Sequence, residues 1–373
     1  MRIGIDARLW KEKGLGRYIR NIVSELLSLA LEDRFVIFCL EEDLSEIKEI
    51  TADKCEIVIA NVRWYSMQEQ FVMPILFVRA KLDVLHVPHF NAPVFYPGKI
   101  VITLHDLTHL HSRDLSASKY PAWVYAIKHA FFVAVLRINI RRSKKVIVVS
   151  EYVQNDLQKS LNVLSSKIKV IYEAAKECQR VSSTDVSRVL SDYGVTKKYF
   201  YYIGNAYPHK NLEMLLEAFA EFRKKYAESQ LVLSGGDSFF WPRLKKYAIY
   251  SHLSENVVFT GKVSDRDKDV LMSAATAYIF PSLSEGFGLP ILEAMSCGCP
   301  VLATNRTSLP EIGGDACLYF EPRLEDMLQK MLMVWEDAHL RKELIRKGHS
   351  RNAAFSWNNA AAETLKVYRT IAG

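Results

Sequence analysis

The feature that most constrains the fold of this chain is a repeated alternation of short apolar runs with longer segments of helical spacing. Ile100–Leu104 has the length of one buried strand, whereas Arg17–Leu29 places apolar residues three and four apart, as on one face of a helix. Strands that alternate with helices predict parallel sheets covered on both faces, because each parallel connection must cross the sheet. We therefore expect an α/β fold.

The alternation occurs twice in the 373 residues, which predicts two domains. The first series of predicted strands is Arg2–Ile5, Phe35–Cys39, Glu56–Ile59, Val84–His86, Ile100–Leu104, Lys145–Val149 and Lys169–Tyr172. The second series is Tyr199–Ile203, Gln230–Ser234, Val257–Thr260, Ala277–Phe280 and Pro300–Ala303, with a helix predicted over Asn211–Arg223. A polar stretch separates the two series. The predicted domains are therefore residues 1–176 and 177–356, and residues 357–373 are predicted to form a helix that packs back on the first domain.

Hydrophobic segments and cysteines indicate the compartment. The longest continuous apolar run considered, Ala130–Leu136, has seven residues, well short of the roughly 18–20 that a membrane span needs. The first residues lack the apolar core and cleavage site of a signal peptide. The six cysteines contain no C-x-x-C pair, which favours reduced, mostly buried thiols over a metal or redox site at Cys297-Gly-Cys299. We expect a cytoplasmic protein without a bound metal.

The net charge of +7 is unevenly distributed. Residues 1–176 contain 25 basic and 19 acidic side chains, which favours an anionic partner for the first domain. A charge this modest, without a known binding module, argues against nucleic acid. The basic cluster in this region consists of Arg137, Arg141, Arg142, Lys144 and Lys145.

The basic cluster follows an aromatic and apolar stretch, which runs from Tyr120-Pro121-Ala122 through Trp123-Val124-Tyr125 to Phe131-Phe132. One interpretation is peripheral contact with an anionic membrane surface, where each basic residue contributes about 1 kcal/mol. The alternative is a core helix followed by a solvated basic turn. The sequence leaves both open.

Two candidate segments lie in the first domain. Gly14-Leu15-Gly16-Arg17 falls between the first strand and the first helix, where glycines let a ligand approach the backbone and the helix N-terminus attracts anions. His105-Asp106 follows a strand, and the carboxyl ends of parallel strands border the ligand crevice. The alternatives are a tight turn for the first segment and a helix cap by Asp106 for the second.

A third segment, Tyr201 to Asn211, follows the first strand of the second domain and precedes a helix. It contains Asn205, His209 and Lys210. A lysine near a helix N-terminus suits a phosphate, since the ammonium group and the helix amides both attract it. The alternative is a solvated loop lysine.

The most specific segment is Ser282 to Met295, with the sequence SLSEGFGLPILEAM. Gly286 and Gly288 open the loop, and Pro290 fits the first turn of a helix. The arrangement places a diphosphate on the helix N-terminus, with Glu285 and Glu293 on either side to bind hydroxyl groups.

Two glutamates also raise the possibility of a glycosidase. The carboxyl groups of a glycosidase pair lie about 5–9.5 Å apart, whereas eight residues of helix span about 12 Å. The spacing favours the two ends of one extended ligand over a single scissile bond. Capping and helix-surface glutamates remain the alternative.

With these segments, the chain resembles glycosyltransferase family 4, whose members have the GT-B fold. The carriers of the resemblance are SEGFGLPILE, YIGNAYPHKN, VITLHDLTHL and the opening GIDARLW with GLGRYIRN. The stretch HVPHFNAP with LHDLTHL is most similar to the mannosyltransferase-like subgroup. The resemblance implies two Rossmann-like domains with an interdomain cleft, and a retaining, metal-independent hexosyl transfer from a nucleotide diphosphate sugar.

The resemblance also implies roles for individual residues. Glu285 binds hydroxyl groups of the donor hexose, the backbone amides of Phe287 and Gly288 help hold that sugar, and Glu293 binds the ribose. Gly286 and Leu289 of the same loop also belong to the implied donor site. Lys210 contacts the diphosphate, Gly14 and Gly16 approach sugar and phosphate, and His105 faces the reacting sugar. Related chains carry an arginine a few residues before the lysine. This chain has Asn205 in that region, so His209 or Arg17 is expected to assist Lys210.

The resemblance implies no cofactor beyond the donor, for which GDP-mannose is favoured, and a glycan or lipid-linked acceptor. Two alternatives remain: another GT-B enzyme such as a sugar-nucleotide epimerase, and a non-catalytic, glycosyltransferase-like binding scaffold. A nicotinamide dehydrogenase is disfavoured, because Ile19 stands where the dinucleotide fingerprint requires a third glycine.

Overall fold

Two fully parallel sheets organise the chain, as the sequence predicts. The computed structural model describes residues 1–52, 54–111, 122–236 and 239–373. The chain forms two compact units. Unit 1 contains Met1–Glu173 together with Ser356–Gly373, and unit 2 contains Ala174–Phe355. These bounds lie within three residues of those expected from the sequence.

Unit 1 contains seven strands and seven helices among its described residues. The strands are β1 (Arg2–Asp6), β2 (Arg34–Cys39), β3 (Glu56–Ile59), β4 (Val84–Val87), β5 (Ile100–Leu104), β6 (Lys145–Val148) and β7 (Ile168–Val170). The helices are α1 (Lys13–Leu29), α2 (Leu44–Thr51), α3 (Met67–Arg79), α4 (Thr108–His111), α5 (Ala122–Arg142), α6 (Glu151–Leu161) and, at the end of the chain, α15 (Trp357–Ala372).

The strand order in unit 1 is β3-β2-β1-β4-β5-β6-β7. The direction of winding reverses between β1 and β4, and in sheets of this kind ligands bind beyond the carboxyl ends of the strands at that reversal. Helix α15 packs against α1, and Tyr368 on α15 is fully buried. The expected return of the last helix to the first domain is confirmed.

Helix α1 begins earlier than the sequence analysis assumed. It starts at Lys13, so Gly14, Gly16 and Arg17 lie in its first turns and not in a loop before it. A Cβ atom at Gly16 would approach the carbonyl oxygen of Trp10 to 2.0 Å, whereas one at Gly14 would meet no atom within 4 Å. Close packing therefore requires glycine at position 16 only.

Unit 2 contains six strands and eight α-helices among its described residues. The strands are β8 (Lys198–Ile203), β9 (Ser229–Ser234), β10 (Val257–Gly261), β11 (Ala277–Phe280), β12 (Val301–Thr304) and β13 (Cys317–Phe320). The helices are α7 (Ser183–Asp192), α8 (Leu212–Arg223), α9 (Phe240–Tyr250), α10 (Asp265–Ser273), α11 (Leu289–Ser296), α12 (Leu309–Gly313), α13 (Leu324–Glu336) and α14 (Ala338–Asn352).

The strand order in unit 2 is β10-β9-β8-β11-β12-β13, so its winding reverses between β8 and β11. The core is formed mainly by these strands and by buried aromatic side chains such as Phe200, Tyr201 and Tyr278. Strand β13 was not predicted. It has only four residues, and two of them are only half-buried, so its apolar signal is weak.

The expectation of reduced thiols is wrong for two cysteines. Cys178 and Cys297 form a disulfide, although they are 119 residues apart in the sequence. The amide of Cys178 donates a hydrogen bond to the hydroxyl of Ser296, which holds the segment before α7 beside the end of α11. The other four cysteines are not in a disulfide, and Cys39, Cys299 and Cys317 among them are buried.

Helix α5 is more apolar as a whole than its longest continuous apolar run suggests. Trp123–Arg142 has the length and composition of a membrane span, with a mean hydropathy of 1.3, and only 22% of its apolar window is buried. The expectation that no segment is long enough for a membrane span is wrong by this criterion. It rested on unbroken apolar runs, and in this helix Lys128 and Arg137 interrupt the run. Tyr120 and Pro121 lie outside the described residues.

Candidate active site

Lys210 and Glu285 meet at the reversal point of the sheet in unit 2. Lys210 ends a short 3₁₀ turn after β8, and Glu285 lies in the loop after β11, the neighbouring strand. The ammonium Nζ of Lys210 lies 2.5 Å from Glu285 Oε1. Both side chains are partly accessible, at 13% and 15% exposure. The pair is therefore accessible to a ligand at the edge where ligands bind such sheets.

The carboxylate of Glu285 is held by its own loop. The buried Ser282 hydroxyl donates to Glu285 Oε1 at 2.5 Å, and the Glu285 amide donates to the Thr307 hydroxyl at 3.2 Å. Ser308 donates to the carbonyl oxygens of Glu285 and Phe287. The loop after β12 thus supports the loop after β11, and this fixes the backbone around Glu285.

Gly288 precedes α11 in the left-handed region, with φ of 97°. A Cβ there would be strained, and it would also approach Leu309 Cδ2 to 2.6 Å. Pro290 occupies the first turn of α11, where the missing N–H costs nothing. Gly286, Phe287 and Leu289 complete the turn into the helix, so this segment offers a helix N-terminus that attracts anions.

Glu293 lies inside α11 and is 5% exposed. Its Oε1 accepts a hydrogen bond from Lys268 of α10 at 2.8 Å, and Lys268 Nζ also lies 3.5 Å from Asp269. Because an unpaired charge is costly to bury, the contact with Lys268 supplies the carboxyl group of Glu293 with a partner of opposite charge. The helix begins only at Leu289, so the 12 Å separation of the two glutamates, which assumed a continuous helix, does not apply.

Two further predicted residues of unit 2, Asn205 and His209, lie in the segment between β8 and α8. The carbonyl of Asn205 accepts a hydrogen bond from Tyr202 at 2.7 Å. His209 stacks on Tyr207, with ring centroids 5.9 Å apart, and its carbonyl accepts from the Leu283 amide at 2.7 Å. This last contact joins the lysine-bearing loop to the glutamate-bearing loop.

In unit 1, His105 follows β5 and is oriented by two acceptors. Its Nδ1 lies 2.8 Å from Glu173 Oε1, and its Nε2 lies 3.3 Å from the carbonyl oxygen of Pro88. The ring also packs edge-on against Tyr18 of α1, with centroids 4.8 Å apart. Glu173, 68 residues away in the sequence, was not predicted. Asp106 accepts a hydrogen bond from the Thr108 amide, which is the capping contact considered as the alternative.

A second histidine lies beneath this region. His86 on β4 is fully buried between Tyr368 (2.6 Å) and Thr103 (2.7 Å). Burial, assisted by the nearby His105, lowers the pKa of His86 to about 3. His86 is therefore a neutral, structural part of the core that joins α15 to the sheet.

The reversal point of unit 1 is occupied by an ion cluster that the sequence analysis did not identify. Arg8, just beyond β1, contacts Asp6 at 2.7 Å and Glu69 at 2.6 Å, and all three side chains are almost fully buried. Asn91, beyond β4, donates to Glu69 at 2.6 Å. Burial raises the pKa of Glu69, and Arg8 opposes this rise.

The structure thus brings Lys210, His209 and Glu285 together through their loops, and it places Glu293 in the helix that follows. Gly14, Gly16, Arg17 and His105 belong to unit 1. Among the described residues, Cys178, Asp269 and Cys297 place potential metal ligands within 4.8 Å of one another, but both sulfur atoms are used by the disulfide.

Two family models match the chain, one in each half. Residues 13–175 match the model described as Glycosyltransferase Family 4, and residues 190–351 match the model described as Glycosyl transferases group 1. The first match lies within unit 1 apart from its last two residues, and the second lies entirely within unit 2.

The chain is also similar to named transferases. It is 29% identical over 300 residues to the O-antigen chain mannosyltransferase B of Escherichia coli, which covers 77% of this chain and 74% of that one. It is 25% identical over 270 residues to the O-antigen chain mannosyltransferase RfbU of Salmonella typhimurium, which covers 72% and 69%.

Among solved structures, that of Anabaena HepE in complex with UDP-glucose superposes with a TM-score of 0.78 at 18% identity, covering 98% of this chain and all of the other. That likeness supports the fold. The two family matches together span most of the chain, and the protein is a family 4 glycosyltransferase with the GT-B fold.

Proposed function

We propose that the protein transfers mannose from GDP-mannose to a glycan or lipid-linked acceptor, with retention of the anomeric configuration and without a metal ion. The mannosyltransferase names of its relatives support the hexose. The observation that carries the proposal is the Lys210–Glu285 pair at the reversal point of the sheet in unit 2, beside the N-terminus of α11.

In this proposal, Lys210 and the N-terminus of α11 bind the diphosphate, and the amides of Phe287 and Gly288 help hold the hexose. When the donor binds, a phosphate oxygen takes the place of Glu285 Oε1 at the ammonium group. The carboxylate is then able to accept hydrogen bonds from hexose hydroxyl groups while Ser282 and the Thr307 contact hold its position. Glu293, held by Lys268, accepts hydrogen bonds from the ribose hydroxyls.

The proposed reaction breaks the bond between the anomeric carbon and the β-phosphate oxygen. The acceptor oxygen attacks the same face of the sugar, and its proton passes to the departing diphosphate. Negative charge therefore develops on the diphosphate in the transition state, where Lys210 and the helix amides stabilise it. One preorganised donor of this kind contributes about 2.7–4 kcal/mol. In unit 1, the contact with Glu173 holds the ring of His105 in position.

The donor is tested by thermal unfolding with GDP, UDP, GDP-mannose and UDP-glucose. A ligand present at 100 times its Kd stabilises the folded state by about 2.7 kcal/mol. GDP and GDP-mannose are expected to raise Tm, and the Lys210→Ala variant is expected to lose most of that rise. Stabilisation by uridine nucleotides alone would contradict the guanine base, and no stabilisation by any of the four would contradict the nucleotide donor.

Retention and metal independence need separate measurements. The NMR coupling of the product's anomeric proton and carbon reports whether the donor configuration is kept, and inversion would contradict the proposed front-face attack. Treatment with EDTA is expected to leave the rate unchanged. A loss of activity that Mg²⁺ or Mn²⁺ restores would contradict the metal-independent reaction.

A further inference from the structure

Two helices of unit 1 present large apolar side chains to solvent in stripes. On α3, Met67, Phe71 and Ile75 are four residues apart and each is more than half exposed. On α5, Trp123, Ile127 and Phe131 repeat the same spacing with the same exposure. Residues four apart share one face of a helix, so each stripe is continuous.

The two stripes lie on the same side of the sheet. Connections between parallel strands are right-handed, and the path from β3 through β4 and β5 to β7 runs in one direction across the sheet. Helices α3, α5 and α6 therefore cover one face. The loop of residues 90–96 joins the stripes, because Phe95 stacks on Phe71 with centroids 5.4 Å apart, and Phe90 packs edge-on against Phe132 of α5 at 4.9 Å. We call the two stripes with Phe95 the apolar face.

The same helices are almost free of acidic residues. Helix α5 has 21 residues and no aspartate or glutamate, and the only acidic residue of α3, Glu69, is buried against Arg8. At the C-terminal end of α5 lies a surface concavity of about 710 Å³. Arg137, Arg141, Lys159 and Lys167 line it, together with six uncharged residues. The proximity of Lys144 and Arg141 adds to burial in lowering the pKa of Lys167, which reflects the concentration of positive charge.

The C-terminal half of helix α5 is packed against the rest of unit 1. It buries Val135, Leu136 and Ile140. The amide of Asn139 donates to the carbonyl oxygens of Phe90 and Ala92, and the chain enters β6 three residues after the helix ends. Extraction of α5 across a bilayer would break these contacts. An interfacial position, with one face in lipid and the other on the sheet, keeps them.

We infer that the apolar face and the adjoining basic concavity bind the surface of an anionic lipid bilayer. The side chains of the apolar face enter the boundary between headgroups and acyl chains, and the four cations of the concavity contact anionic headgroups. The charge of the region selects this occupant over an apolar protein surface. The face lies outside the proposed donor site, so membrane binding and catalysis can be tested independently.

The test is sedimentation of the full-length protein with vesicles of phosphatidylcholine alone or mixed with phosphatidylglycerol, at low and high salt. Binding is expected to require phosphatidylglycerol and to fall with salt. The triple variant Arg137→Gln, Arg141→Gln, Lys159→Gln is expected to weaken partition about a hundredfold, since each charge contributes about fivefold. The double variant Trp123→Ser, Phe131→Ser is expected to weaken it at least about tenfold.

Matched controls come from unit 2. Lys342 and Arg346 are exposed on α14, and Ile249 and Tyr250 are exposed on α9. The double variants Lys342→Gln, Arg346→Gln and Ile249→Ser, Tyr250→Ser are expected to leave partition unchanged. All variants replace exposed residues, and an unchanged Tm checks that they fold.

Equal binding to both vesicle types, or wild-type binding by the unit 1 variants, would overturn the inference. A second copy of this chain is the other possible occupant of the apolar face, and analytical ultracentrifugation of the protein alone tests for it. If the protein self-associates, Trp123→Ser with Phe131→Ser abolishes the association, and phosphatidylglycerol vesicles are not bound, then the apolar face is an interface between copies of this chain and not a membrane surface.

Discussion

The two units share one sheet plan but place different chemistry at its reversal point. In unit 1, Arg8 is enclosed by Asp6 and Glu69, and the three side chains are between 1% and 6% exposed. In unit 2, the side chains of Lys210 and Glu285 are 13% and 15% exposed, and they lie beside a helix N-terminus that Gly288 precedes. The first arrangement satisfies its charges internally, whereas the second can exchange a partner for a ligand.

This difference indicates that the strand order determines where a ligand site can form. The residues of the loops beyond the strands determine whether that place can bind a ligand. A buried ion cluster of this kind rigidifies the edge of a sheet, because removal of Arg8 would leave two buried carboxylates unpaired. An accessible lysine at a helix N-terminus attracts an anion. Unit 2 is accordingly the unit to which we assign the donor, and the surface of unit 1 has other features, among them the apolar face.

The largest expected effect concerns the unit 2 site. Glu285→Ala is expected to lower kcat at least about a hundredfold, because one preorganised contact to the transition state is lost. The variant should remain folded, since Glu285 is partly exposed. Glu213→Ala on α8 removes another partly exposed glutamate of the same unit, and it is expected to retain activity. Near-normal transfer by Glu285→Ala would remove this residue from the site.

The second prediction compares two glycines of α1, of which only Gly16 is required by packing. Gly16→Ala places a methyl group against the carbonyl oxygen of Trp10, which also accepts a hydrogen bond from Arg20, and is expected to cost about 3 kcal/mol of unfolding free energy. Gly14→Ala meets open space and is expected to stabilise α1 by up to about 1 kcal/mol. Urea unfolding measures both. Equal effects of the two substitutions would contradict the close contact at Gly16.

Gly14→Ala also tests the role implied by the family resemblance. If the backbone of Gly14 approaches the donor, the alanine variant gains stability but loses donor affinity. Unchanged affinity would leave Gly14 without a binding role.

Another expected effect in unit 1 is a pH dependence of stability, and it is smaller than the loss expected for Gly16→Ala. The pKa of His86 is about 3 in the folded chain and near 6.5 when unfolded. Acidification from about pH 7 to pH 5 therefore protonates the unfolded chain preferentially and lowers the unfolding free energy by about 2 kcal/mol. His86→Gln should remove this part of the slope, and the exposed His349→Gln of unit 2 should keep it. A wild-type slope in His86→Gln would contradict the assignment.

Local patterns predicted most of the fold. Strands such as Ile100–Leu104 and Ala277–Phe280 agree with the structure at both ends, because continuous apolar runs mark buried parallel strands. The start of α1 was missed since glycines usually end helices. The close contact with Trp10 explains a glycine inside the helix at position 16, and nothing among the described residues requires one at position 14. Strand β13 was missed because it is short and half-buried.

The partners of the site residues could not be predicted from the sequence. Glu173 lies 68 residues from His105, and Lys268 lies 25 residues from Glu293. Sequence motifs identified His105 and Glu293 through their neighbours in the chain. Their partners depend on which strands and helices pack together, and the sequence motifs carry no information on that packing. The disulfide between Cys178 and Cys297 was missed for the same reason.

The central claim is that unit 2 binds a nucleoside diphosphate at the reversal point between β8 and β11. A crystal structure of the GDP complex tests it most directly. We expect the diphosphate to lie within hydrogen-bond distance of Lys210 Nζ and at the N-terminus of α11, with the ribose at Glu293. A diphosphate bound elsewhere, with Lys210 still paired to Glu285, would contradict the account.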